Sequence, residues 1–410
     1  MQYKIFPPGK LQTTITLPPS KSISNRLLIM NALSCSPYPI ENLSDCEDTQ
    51  VLIDAFNSDS NVFDVKGAGT AMRFLTAFLA EMEGEWIIRG NDRMHERPIY
   101  PLVNTLIALG AEIEYLEKEG YPPLKIKGRH LKGGEVYLSG NMSSQFVSAL
   151  LMIAPKMDNG LIIHLENEVI SKPYIHLTLG LMEKYGIKAK WEGKDIAVKH
   201  QEYVPAPIKV EADWSAASYW YAMVSLIPDA EVTLQGLNKN SLQGDSNLVN
   251  LFPDLGVSTE FISDGVIIRK TKKSTKKFFH NFVNEPDLAQ TFVVACCLLN
   301  VPFLFSGVQS LKIKETDRIN ALKTELLKLG YVLKDDNEYR MLGWDKERSF
   351  RQKDAVIETY NDHRMAMSFT PACIPFGSII IDNPRVVAKS YPNFWNDLKK
   401  AGFTIQEKED

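Results

Sequence analysis

The chain has 410 residues, 46 Lys and Arg against 50 Asp and Glu, a formal net charge of −4, 44% hydrophobic and 23% charged residues. That much apolar chain exceeds one ordinary core, so two domains are expected; a pI near 6.1 leaves no global basic footprint for nucleic acid or anionic membrane, and any anion site must be local. The start, MQYKIFPPGK, lacks a signal-peptide core, no run reaches ~18 apolar residues, and five cysteines without CxxC or a Cys/His cluster argue against a disulfide framework or structural zinc, so a soluble, cytoplasmic protein is expected.

In chain order, six passages share one design: a β-like run ends in a polar turn and leads directly into an Ala/Leu-rich helical pattern. They are TITLPPSKSISNRLLIMNAL, FDVKGAGTAMRFLTAFLA, EVYLSGNMSSQFVSALLMIA, IKVEADWSAASYWYAMVSL, FFHNFVNEPDLAQTFVVACCLL and AVIETYNDHRMAMSFTPACI. Each puts Ser, Thr, Asn, Asp or Gly where the helix starts, which predicts capped N-termini. Capping alone explains any one of them; six, interspersed with Lys and Arg, point to helix starts that hold anions. Between them, PLVNTLIALGAEIEYLE and NALKTELLKLGYVLKDD read as helix, Gly, strand. Cys296 and Cys297 in TFVVACCLLN read as core.

Within this frame, Ser20 to Arg26 puts Lys21 in a turn beside two hydroxyls, Ser20 and Ser22, with Arg26 about one helical turn further on, a setting suited to phosphate. Arg93 and Arg97 stand four residues apart before Pro98 and would share a face if helical; a surface ion pair with Glu96 is the ordinary alternative. Ser143, Ser144 and Gln145 open a helix, and Ser171-Lys172-Pro173-Tyr174 offers hydroxyls and a cation in a turn, donors and acceptors fit to read a hydroxylated ring. Lys312 to Arg318 is the densest charged segment, and a solvated helix face is its ordinary explanation. Asn361 to Met367 ends a strand-like run, and Lys389 lies in the turn-like AKSYP.

Assembled in this order, the segments resemble the 5-enolpyruvylshikimate-3-phosphate synthase family along nearly the whole chain. LPPSKSISNR is similar to the family's LPGSKSxSNR, GAGTAMR to NAGTAMR and DRMHERPI to RMxxRPI, while SSQF, ISKPYI, KETDR and NDHRMAM match nearly letter for letter. The resemblance implies an α/β protein (α+β by some schemes): a two-domain inverse α/β barrel, each domain of three βαβαββ-type repeats, with residues 1–18 plus 212–410 forming a lower, discontinuous domain, residues 19–211 an upper one, and the active site in the cleft between them. It implies transfer of the enolpyruvyl group of phosphoenolpyruvate to shikimate 3-phosphate by a monomer, with no cofactor and no metal, and glyphosate as a family inhibitor. By resemblance Lys21, Ser22, Arg26, Ser143, Ser144, Gln145, Ser171, Tyr174, Asp287 and Lys314 belong to the shikimate 3-phosphate site. Lys21, Gly69, Arg93, Gln145, Glu315, Arg318, Arg364 and Lys389 belong to the phosphoenolpyruvate site.

In the implied addition and elimination, Glu315 transfers the proton at the methylene carbon, Asp287 activates or orients the attacking hydroxyl, and Lys21 assists. The chain departs from the family pattern at Pro19, in place of Gly before Ser20, at Gly67, in place of Asn, at Phe74, where many relatives have Pro, and at Ser310, where some use Asn. The nearest enzyme alternative is the enolpyruvyl transferase acting on UDP-N-acetylglucosamine, disfavoured by SKSISNR, SSQ and KETDR and by the lack of Cys around Arg93. A noncatalytic sensor of phosphorylated metabolites is disfavoured because both Asp287 and Glu315 are retained.

Overall fold

A computed structural model of the chain describes residues 1–141, 143–336, 338 and 340–408. The chain divides into two compact units, Met1–Pro18 with Glu211–Asp410, and Pro19–Val210. Each has its own apolar core. The second boundary falls one residue before the 212 expected, and Glu211 shows why: its carboxylate accepts hydrogen bonds from Asn238, Ser241 and Gln243 of the discontinuous unit.

The discontinuous unit opens with strands β1 (Gln2–Phe6) and β2 (Gln12–Thr16). The Pro19–Val210 unit then runs α1 (Lys21–Leu33), α2 (Glu47–Phe56), β3 (Val62–Asp64), α3 (Gly69–Glu81), β4 (Gly84–Arg89), α4 (Asp92–His95), α5 (Tyr100–Ala108), β5 (Glu112–Tyr115), β6 (Leu124–Gly128), β7 (Gly134–Ser139), α6 (Ser144–Ile153), β8 (Leu161–Glu166), α7 (Lys172–Lys184), β9 (Ala189–Glu192) and β10 (Asp195–Val198). The rest of the discontinuous unit is α8 (Trp214–Leu226), β11 (Glu231–Gln235), α9 (Leu248–Leu251), β12 (Val257–Ile262), β13 (Gly265–Lys270), β14 (Phe278–Asn281), α10 (Ala289–Leu298), β15 (Phe303–Ser306), α11 (Arg318–Lys328), β16 (Lys334–Asp335), β17 (Met341–Trp344), β18 (Val356–Ile357), α12 (His363–Phe369), α13 (Cys373–Phe376), β19 (Ile379–Asp382), α14 (Phe394–Lys400) and β20 (Thr404–Lys408).

One sheet plan recurs: the first two strands pair parallel, and the fourth lies antiparallel between the second and the third. The orders β3-β4-β6-β5, β7-β8-β10-β9 and β14-β15-β17-β16 follow it, and so does the sheet of β2, β11, β12 and β13. The sheet β18-β19-β1-β20 obeys it only because the N-terminal strand supplies the fourth place, with Gln2 opposite Asp382 on one side and Lys408 on the other. This is the βαβαββ repeat, three times in the discontinuous unit. In the other unit it occurs twice as a four-stranded sheet, and among the described residues the α1–α2 region adds a parallel bridge between Glu41 and Lys209.

The helices lie inside and the sheets outside. Strands alternate, as in β6, where Leu124 and Ile126 are buried and Lys125 and Lys127 exposed. The helices that follow the first strands have no solvated face: α10 is buried at every position, and α3 at all but Thr70. Cys296 and Cys297 sit in α10 as core residues. The polar groups of such helices must be satisfied internally. A chain of hydroxyls does this where α8, α10 and α12 meet, Ser218 Oγ to Thr291 Oγ1 at 3.1 Å and Thr291 Oγ1 to Ser368 Oγ at 3.3 Å.

Each of the six passages runs from a strand or a polar turn into a buried helix, giving α1, α3, α6, α8, α10 and α12. The predicted caps are met by Ser143, Asp213 and Asp362, whose side chains accept from Gln145, Ala216 and Arg364 N–H. The starts of α1, α3 and α10 carry no side-chain cap.

Candidate active site

In the Pro19–Val210 unit, Lys21 is the first residue of α1 rather than part of a turn, and its Nζ lies 3.0 Å from Asp48 Oδ2. Arg26 faces inward, 2% exposed. It donates to Thr178 Oγ1 (2.7 Å), Ser22 O (2.8 Å), Ser148 Oγ (3.2 Å) and Tyr174 O (3.4 Å), and lies over Phe74 at 5.3 Å. Burial lowers its pKa to about 10, still charged at neutral pH. Through Arg26, the start of α1 and its Ser22 are locked to α6 and to the start of α7, where Ser171 takes a left-handed conformation (φ 55°) ahead of Lys172 and Tyr174. Ser144 is buried at the start of α6.

Gln145 joins two helix starts, its Nε2 donating to Thr70 Oγ1 at 3.1 Å. Beside Thr70, a Cβ on Gly69 would come 2.5 Å from Arg97 Nη2, so the arginine occupies the space of a side chain. Arg73 fixes the Arg97 segment from below, donating to Gly69 O (3.1 Å) and Pro98 O (3.3 Å).

The two arginines of DRMHERPI therefore part company. Helix α4 ends at His95, and Arg97 lies beyond it, packed on Gly69 and 3.5 Å from Gly67 O. Arg93 remains in α4, 40% exposed, and pairs with Glu96 at 2.7 Å. Of the two, Arg97 is the one that reaches the start of α3, because Pro98 stops the helix that would have put both on one face.

In the discontinuous unit, Lys312 to Arg318 is not a solvated helix face. Residues Gln309–Ile313, Ser310 among them, form a 3-10 turn, Asp317 caps α11, and Arg318 is its first residue, 1% exposed. Arg318 donates to Asp362 (Nε to Oδ2, 2.7 Å) and to Glu315 (Nη2 to Oε2, 2.7 Å), with Asp287 Oδ1 3.4 Å from its Nη1. Asp287 in turn meets Arg364 Nη2 at 2.9 Å and Lys314 Nζ at 3.9 Å. Burial pushes the Asp287 carboxyl up, but Arg364, Lys314 and Arg318 together hold it below the ordinary range, so it is ionised at neutral pH. Arg364 also donates to Asp287 O (3.2 Å) and Tyr219 OH (3.3 Å). Lys389 ends the 3-10 segment Pro384–Lys389 and donates to Asn361 O at 2.6 Å.

Sequence reasoning missed several partners. Asp362 had a signal, a carboxylate immediately before a helix start. Asp48 and Asp245 had none. Asp245 is 4% exposed, accepts from the Ser215 hydroxyl, and among the described residues has no hydrogen-bond partner on Oδ1. Burial and the nearby Asp287 charge push its pKa up to about 7.

Repeat-built α/β architecture with carboxylates set among buried arginines at helix starts defines a class: enzymes that bind small anions by preorganised charge. The family model for EPSP synthase (3-phosphoshikimate 1-carboxyvinyltransferase) matches residues 5–58 and 52–398. Over 411 residues, covering all of both chains, the protein is 54% identical to the 3-phosphoshikimate 1-carboxyvinyltransferase of Bacteroides fragilis strain YCH46. It is 36% identical to that of Aliivibrio fischeri strain MJ11, over 96% of this chain and 98% of the other. A solved structure of EPSP synthase from Acinetobacter baumannii superposes with a TM-score of 0.79 at 21% identity, over 99% of this chain and all of that one, and shares the fold. The chain belongs to the EPSP synthase family. No helix among the described residues is long and apolar enough to cross a membrane.

Proposed function

We infer that this chain transfers the enolpyruvyl group of phosphoenolpyruvate to the 5-hydroxyl of shikimate 3-phosphate, giving 5-enolpyruvylshikimate 3-phosphate and phosphate, a step of chorismate and aromatic amino acid biosynthesis. The observation that carries this reading is the charge cluster in which Arg318, Arg364 and Lys314 surround Asp287 while Glu315 stays bound to Arg318. Two carboxylates held among fixed cations suit a reaction that moves protons on anionic reactants. The names borne by relatives 54% and 36% identical along the chain support the same reaction.

In this reading Glu315 delivers a proton to the methylene carbon of phosphoenolpyruvate, and the 5-hydroxyl attacks the adjacent carbon as Asp287 orients it. Its proton leaves, the tetrahedral intermediate expels phosphate, and loss of a methyl proton restores the double bond. Lys21 assists proton transfer. Every step is a proton transfer, an addition to carbon or an elimination of phosphate, without redox change, so no cofactor is required. Arg318, Arg364 and Lys389 hold phosphoenolpyruvate together with Lys21, Gly69 and Gln145, and Arg97 joins them because of its place against Gly69. Arg93, engaged with Glu96, is the weakest member of the expected set. Ser22, Arg26, Ser143, Ser144, Gln145, Ser171, Tyr174 and Lys314 serve shikimate 3-phosphate, so turnover draws on both units. We further propose a cytoplasmic monomer; four of five cysteines are buried as free thiols, as suits a reducing compartment.

Phosphate release by the purified protein tests the reading. Turnover is expected with phosphoenolpyruvate plus shikimate 3-phosphate and not with UDP-N-acetylglucosamine in its place. Release only with the nucleotide sugar, or with neither acceptor, overturns it.

A further inference from the structure

Tyr360 and Asn361 both adopt left-handed backbone conformations, φ 52° and 53°. Asn tolerates that region, but a bulky side chain such as Tyr does not enter it without a compensating hold. The hold is visible. Tyr360 OH donates to Glu325 Oε1 at 2.8 Å, and Glu325 is a fully buried carboxylate of α11. The other oxygen of Glu325 accepts from Glu358 N–H at 3.1 Å and from Lys328 Nζ at 2.7 Å, and Lys328 also donates to Val356 O at 3.0 Å. Burial and the bond to Glu325 keep the Tyr360 phenol above its usual pKa, so it remains a donor at neutral pH.

Seven residues before Glu325, about two turns of the same helix, Arg318 grips Asp362 with Nε and Nη2. Helix α11 thus holds the turn on both sides of Asn361. From this turn three cations take their places. Asp362 holds Arg318 and accepts from Arg364 N–H at 2.8 Å. Asn361 O receives Lys389 Nζ, and Asn361 Oδ1 receives Asn383 Nδ2 at 2.9 Å, at the residue that opens the segment ending in Lys389.

We propose that Tyr360 and Glu325 are positioning residues: they clamp the 358–362 turn in a left-handed conformation, and that conformation sets Lys389 in register with Arg318 and Arg364. The inference rests on the functional reading above, and it names what aligns that site. Releasing the Tyr360 hydroxyl lets Tyr360 and Asn361 leave their left-handed conformations, which turns Asn361 O away from Lys389 and leaves Lys389 misplaced.

Tyr360→Phe removes only the hydroxyl. Because Lys389 is assigned to phosphoenolpyruvate, the KM for that substrate is expected to rise about tenfold, the scale of one lost charge-assisted contact, with the KM for shikimate 3-phosphate within about twofold. Tyr360→Gly in place of Tyr360→Phe also lacks the hydroxyl but removes the strain at its source, since glycine enters the left-handed region freely, and is expected to recover most of the loss. Independently of turnover, acetylation of Lys389 by a limiting acylating reagent, followed by mass spectrometry, is expected to run several-fold faster in Tyr360→Phe. Unchanged KM and labelling, an equal rise in both KM values, or no recovery with glycine overturns the inference. Absence of phosphate release by the unaltered protein defeats the functional reading instead, and the labelling comparison still decides the clamp.

Discussion

Arg318→Met isolates the largest electrostatic commitment in the discontinuous unit. Methionine fills much of the aliphatic volume but removes the guanidinium that meets Asp362 at 2.7 Å, Glu315 at 2.7 Å and Asp287 at 3.4 Å. Asp362 is 0% exposed, and without Arg318 its carboxylate keeps the bond from Arg364 N–H at 2.8 Å. Removing one partner of a buried ion pair costs about 3–5 kcal/mol, because the other charge is left without compensation. For a unit of this size, 1 kcal/mol moves the midpoint by roughly 2–4 °C, so a melting point lower by roughly 6–20 °C is expected in scanning calorimetry. The double variant Arg318→Met, Asp362→Asn tests the cause. If the penalty is an abandoned charge, neutralising Asp362 recovers part of it, and the two losses fall short of additive. A melting point within about 2 °C of the unaltered protein, or strict additivity in the double variant, refutes the reasoning.

Asp245→Asn carries a pH signature. With a folded pKa of about 7 against about 3.9 unfolded, the folded state keeps a proton that the unfolded chain has lost, so stability drains as pH rises through that window. The gain of the variant over the unaltered protein is expected to be larger at pH 8 than at pH 5; a difference independent of pH removes the assignment. Gly69→Ala forces a Cβ to within 2.5 Å of Arg97 Nη2, and it should raise the KM for phosphoenolpyruvate about tenfold with little change in melting point. An unchanged KM would show that Arg97 yields its place without consequence. Glu315→Gln retains the size of the side chain while removing the acid, and a fall in kcat of about 10²–10⁴-fold is expected; turnover near normal in the purified variant takes Glu315 out of proton transfer.

Much of the architecture was readable in advance because it is local. Polar turns leading into Ala/Leu-rich runs marked six helix starts, and the Gly after PLVNTLIAL and after LLKL separated α5 from β5 and α11 from β16. Helix burial was less readable. A helix such as α10, enclosed on every side, has no polar stripe, so its sequence shows apolar content but not which neighbours enclose it. Nor does anything in QYKIF say that β1 fills the fourth place of a sheet whose other strands lie at the far end of the chain, from Val356 onward.

The charged segments divide along the same line. Residue type and order along the chain determined the family, the repeat and the charged segments we propose for the chemistry, since those follow from short-range pattern. Which arginine of DRMHERPI reaches Gly69, and that Arg318 is buried between Asp362 and Glu315 rather than solvated, were decided only in three dimensions. Ion pairing depends on separation through space and on exclusion of water. Residues 287, 318, 362 and 364 acquire both only when the repeat of β14 to β17 has packed against that of β18 to β20.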